Sequence, residues 1–156
     1  MRRPCCLICL NQQSRANMRN AERFAFTAAQ RELGAASLMP QLPLTLTYHG
    51  HSVTTAGLLD SGATVNVLPY RIGLELGAAW EPQQPSLRLS GNLAQLEAPP
   101  LLVSVMVSRF APVRLVFAWT QADNIPVILG QVNFFMEFDV CFYRSQQAFE
   151  IWPKAT

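Results

Sequence analysis

Charge is what this sequence has least of: only 14% of its 156 residues are Asp, Glu, Lys or Arg, while half are hydrophobic. The formal net charge of +2 is close to neutral, and nothing in that balance asks for a polyanion, so neither nucleic acid nor an anionic membrane surface is an expected partner. Long apolar runs are missing too, since no stretch approaches the roughly 20 apolar residues that cross a bilayer as a helix. The apolar run over 4–10, behind Met1-Arg2-Arg3, is short for a signal peptide and is broken by Asn11-Gln12-Gln13-Ser14. A cytoplasmic location is therefore expected. The four cysteines do not form a disulfide framework, because Cys5, Cys6 and Cys9 crowd one end. Cys6-x-x-Cys9 has no second ligand pair at finger-like distance, so no metal or other cofactor is expected, and Cys141 reads as a small core residue. Internal repeats and low-complexity tracts are absent as well.

What is present divides in two. Residues 1–38 read as an N-terminal extension, helical or disordered and loosely attached. A helix is predicted over 17–33, where Met18, Ala21, Phe24, Ala28 and Ala29 give an imperfect apolar face and Gly34 a stop. From 39 to 156 the texture is β. Leu44-Thr45-Leu46-Thr47-Tyr48 alternates, His49-Gly50-His51 turns, and 53–59 returns as a second strand. The two histidines read as solvated turn residues rather than ligands. A short helix or turn over 70–77, strands over 101–107 and 113–119, and a hairpin over 138–152 follow. One domain of this size can bury a single core.

The organising stretch is Leu58-Leu59-Asp60-Ser61-Gly62-Ala63-Thr64-Val65-Asn66-Val67-Leu68. A carboxylate here leaves an apolar strand, enters a Ser-Gly turn and is followed at once by more apolar chain, so it is held beside a core. A second element, Val127-Ile128-Leu129-Gly130, lies 130 − 60 = 70 positions on, followed by 131–136, which can form a short helix. Together these resemble the retropepsin-like, retroviral-type aspartic proteases, in which an apolar pair precedes Asp-Thr/Ser-Gly-Ala and an apolar-apolar-Gly strand supports that loop. The resemblance covers about 42–153 and looks closest to single-domain cellular and bacterial members.

The resemblance implies an all-β, closed-barrel-like retropepsin fold with one or two short helices. It implies Asp60 as the catalytic side chain, with Ser61, Gly62 and Ala63 completing the active-site loop. Ile128, Leu129 and Gly130 would form the supporting strand. A hairpin about Ser90, Gly91, Asn92 and Leu93 would be the flap that shuts water from the acid. Of the three aspartates only Asp60 precedes Ser-Gly, so the implied partner is a second copy of the chain. In such a homodimer two Asp60 carboxyls share one proton and activate a water against an extended peptide. Ala63 offers the acid no hydroxyl, which implies a pH–rate optimum above about pH 3. Retroviral members often carry an acid shortly after the loop and an Arg after the apolar-apolar-Gly; here Thr64 and Gln131 stand there, so that ion pair is absent. The alternative readings are an inactive peptide-binding or dimerisation module on the same fold, or a structural β domain.

Overall fold

The computed structural model describes residues 20–28, 37–82, 87–88 and 97–154. Cys5, Cys6 and Cys9 lie outside them, as do the expected flap residues Ser90, Gly91, Asn92 and Leu93. In chain order the strands β1 (Glu22–Ala25), β2 (Thr27–Ala28), β3 (Leu38–Met39), β4 (Gln41–Tyr48), β5 (His51–Leu59) and β6 (Asn66–Leu68) precede helix α1 (Tyr70–Glu75). Short strands β7 (Leu87–Arg88) and β8 (Glu97–Ala98) come next, then β9 (Pro100–Met106), β10 (Val113–Trp119) and β11 (Val127–Leu129). Helix α2 (Phe134–Glu137) leads into the hairpin β12 (Phe138–Tyr143) and β13 (Ala148–Pro153). No helix among the described residues is long and apolar enough to cross a membrane.

The chain divides into two compact units, one spanning Leu42–Phe134 and the other made of the segments before and after it. In the first, six strands close a barrel in the order β10-β6-β11-β5-β4-β9. Period-two alternation makes it. Leu42, Leu44 and Leu46 of β4 point inward and are at most 3% exposed, as do Val103 and Val105 of β9 and Leu115 and Phe117 of β10. Each such side chain contributes about 1.5–3 kcal/mol when fully buried. Strands β4 and β5 meet at His49 and Gly50, both at positive φ, the geometry of a tight hairpin turn. Helix α1 ends in a Schellman pair of bonds, Gly77 N–H to Leu74 O at 2.9 Å and Ala78 N–H to Gly73 O at 3.0 Å.

The second unit carries a three-stranded sheet in the order β1-β13-β12. The helix predicted over 17–33 is replaced across its described part by strand, and this corrects the sequence-based expectation. Glu22, Arg23, Phe24 and Ala25 pair antiparallel with Ile151, Glu150, Phe149 and Ala148. Phe24 stacks on Phe149 with ring centroids 5.4 Å apart, and Phe26 packs against the same ring at 6.2 Å. Tertiary pairing has overridden a helical composition here. Nor is its described part loosely attached: Arg23 donates to Glu150 at 3.0 Å and to Gln146 at 2.6 Å, with its guanidinium 5.0 Å from the centre of the Tyr143 ring. The Tyr143 hydroxyl donates to Glu150 at 3.0 Å. Burial first, then its bonds with Cys141 and Glu150, push that phenol well above its ordinary value.

Candidate active site

Strands β5 and β6, which flank the Asp60 loop, are not neighbours in the barrel. β11 runs between them, parallel to β5 and antiparallel to β6. The loop must therefore arch over one intervening strand, a span of two strand spacings, or about 10 Å. Its register is set by Ile128, which lies opposite Leu58 on one side and Val67 on the other. The half-buried Val65, Ile125 and Ile128 pack on a buried cluster of Val67, Ala98 and Ala118, which anchors the exit from the loop.

Asp60 begins where β5 ends. Its main-chain N–H donates to Leu129 O at 3.1 Å, and its own carbonyl accepts from Ala63 N–H at 3.1 Å, closing a turn around Ser61 and Gly62. The half-buried carboxylate accepts the Gly62 N–H on Oδ1 at 2.9 Å. A main-chain donor to a carboxylate is a charge-assisted bond, stronger than its neutral counterpart and dependent on the turn keeping its shape. Ser61 and Gly62 are exposed and Ala63 is half-buried, so the acid stands at an open edge of the barrel.

Gly130 shows why the supporting strand must end in glycine. A Cβ there would lie 2.6 Å from Val65 O and 2.9 Å from Ala63 O, both main-chain atoms that cannot turn aside. Without one, Gln131 N–H reaches Ala63 O at 2.9 Å and Val132 N–H reaches Thr64 O at 2.8 Å. Main-chain bonds thus bind together the two places where the sequence lacks the retroviral acid and arginine. Leu58 and Ile128 are half-buried, whereas Val127 and Leu129 are core.

Two amides matter here that the sequence reading did not single out as site residues. Asn66 is fully buried; its Oδ1 accepts the Gly130 N–H at 2.8 Å while its Nδ2 donates to Val116 O at 3.1 Å, so it ties β6 to β11 and β10. Gln131 Nε2 donates to Ser61 O at 2.7 Å. A polar residue embedded in an apolar run, Val65-Asn66-Val67-Leu68, was the available signal for Asn66, since a buried amide needs partners. The other two aspartates are placed elsewhere. Asp123 accepts the Arg71 N–H at 2.7 Å and Asp139 is exposed on β12. Among the described residues no group of His, Cys, Asp and Glu is arranged to hold a metal ion.

A closed barrel with its Asp-Ser-Gly loop arched over an intervening strand has the fold of the retropepsin-like aspartic proteases. A structure of a retropepsin-like aspartic protease from Rickettsia conorii superimposes with a TM-score of 0.56, covering 84% of this chain and 90% of that one at 13% identity. The EIAV protease complexed with the inhibitor HBY-793 gives a TM-score of 0.47, covering 65% of this chain and 88% of that one at 18% identity. At such identities the likeness is one of fold. No protein-family model matches the sequence, and no curated protein matches it.

Proposed function

We propose that the protein is an aspartic endopeptidase acting in the cytoplasm as a homodimer, with Asp60 of each copy forming the catalytic pair. The observation that carries this reading is the Asp60 turn itself. The carboxylate is fixed by Gly62 N–H and the chain before it by Leu129 O, within a fold shared with a Rickettsia conorii retropepsin-like aspartic protease. A lone acid cannot both take and give a proton in one step, and neither Asp123 nor Asp139 lies in such a turn. Two copies related by a two-fold axis supply the missing group.

In the pair, two close carboxyls hold one proton between them because both cannot ionise. The ionised member takes a proton from water as the water oxygen attacks the peptide carbonyl; the protonated member gives its proton to the carbonyl oxygen. Ser61 of each copy bonds across the axis, and Gly62 leaves room for the backbone to approach. The substrate is an extended peptide gripped through its main chain, with half-buried Leu58 and Ile128 as apolar walls.

The test is incubation of the full-length protein and Asp60→Asn with an apolar peptide library from about pH 3 to 8, with and without pepstatin. The wild type cleaves, pepstatin stops it, Asp60→Asn is inactive, and specific activity rises with protein concentration as dimers form. Cleavage that survives Asp60→Asn overturns the reading. Inhibitor binding without cleavage would instead identify an inactive peptide-binding module.

A further inference from the structure

The Ser61–Gly62 peptide unit carries a hydrogen bond at each end. Its carbonyl oxygen accepts from Gln131 Nε2 at 2.7 Å, and its N–H donates to Asp60 Oδ1 at 2.9 Å. These are not separate contacts, because one delocalised amide joins them. Withdrawing electron density at the oxygen makes the nitrogen's proton a better donor, an effect on the order of 10–30% per bond. We infer that Gln131 is a positioning residue for Asp60, acting through the Ser61–Gly62 peptide to hold and strengthen the donor that fixes the carboxylate.

Two features make this role separable from simple scaffolding. The main-chain N–H of Gln131 is already bonded to Ala63 O, and Val132 N–H to Thr64 O, so the strand-to-loop brace does not depend on the Gln131 side chain. The side chain itself is exposed and fills no part of the core. Its Nε2 bond reaches past both brace points to the peptide next to the acid.

The kinetic consequence rests on the protease reading; the spectroscopic one does not. Gln131→Met keeps the length and removes the donor, whereas Gln131→Arg keeps a donor. In amide proton NMR spectra of the full chain, Gly62 moves upfield in Gln131→Met and stays near its wild-type position in Gln131→Arg. Asp60→Asn, which removes the charged acceptor, moves the same resonance and so checks the reporter. In peptide cleavage, Gln131→Met lowers kcat about two- to fivefold with KM unchanged, Gln131→Arg restores it, and the thermal midpoints of all three agree. A Gly62 resonance unmoved by Gln131→Met overturns the inference whatever the activity. So does a Gln131→Arg variant as slow as Gln131→Met. A wild type that cleaves nothing, with Gly62 still shifting, would remove the protease reading and leave the relay in place.

Discussion

In the Asp60 loop the donors are mostly main-chain N–H groups, those of Asp60, Gly62, Ala63, Gly130, Gln131 and Val132. The β1-β13-β12 sheet adds side-chain ties to its ladder: the Phe24 and Phe26 rings on Phe149, and Arg23 and Tyr143 on Glu150. The difference shows how each region tolerates change. A loop braced through its backbone is indifferent to most side chains but intolerant wherever an atom must not be present, so its sensitive positions are Gly130 and the buried amide of Asn66. A sheet closed by side chains responds to each in proportion to what it buries.

The largest effect should come from Gly130→Ala. The added methyl meets Val65 O and Ala63 O, displaces the loop that carries Asp60, and lowers kcat/KM by on the order of a hundredfold, measured on the best cleaved peptide. Cleavage at the wild-type rate would mean that the loop is not braced as described. In the sheet, Phe149→Ala removes the ring shared by Phe24 and Phe26 and costs about 3–5 kcal/mol in urea unfolding. Asn66→Ala strands the Gly130 N–H and the Val116 carbonyl and costs about 2–4 kcal/mol, with the loss in activity exceeding that of an equally destabilised sheet variant. Should the two variants lose activity in equal measure, the contrast between the regions fails.

The smallest effect concerns pH. The Tyr143 phenol is raised in the folded state above its ordinary value of 10.0, so folding favours the protonated form. Its contribution is fully present below about pH 10 and is lost as pH rises toward the folded value, because the unfolded chain ionises first. Tyr143→Phe should therefore flatten the decline of stability above about pH 10, followed by urea midpoint against pH. An unchanged slope would sever Tyr143 from alkaline unfolding.

Much of the barrel was legible because burial follows a local period. The alternation of Leu42, Leu44 and Leu46 reports one buried face without knowledge of any partner, and the Asp-Ser-Gly and Ile-Leu-Gly elements stood out by composition. The strand at Glu22–Ala25 was not legible in this way. What makes it a strand is β13, and Arg23 meets Glu150 across 127 positions of sequence, beyond any window in which helical propensity is weighed. The partners of the two amides were illegible for the same reason. Nothing adjacent to Gln131 says that its Nε2 will find Ser61 O, 70 positions away.

The strand threaded between β5 and β6 also sets the timing of assembly. Leu129, which receives the Asp60 N–H, is made 129 − 60 = 69 residues after the acid. A nascent chain leaving the ribosome thus carries its aspartate unsupported until those further residues have been made. The turn that holds the acid can take its shape only after synthesis has passed Leu129, so the barrel's wiring defers assembly of this loop until long after Asp60 itself has been made.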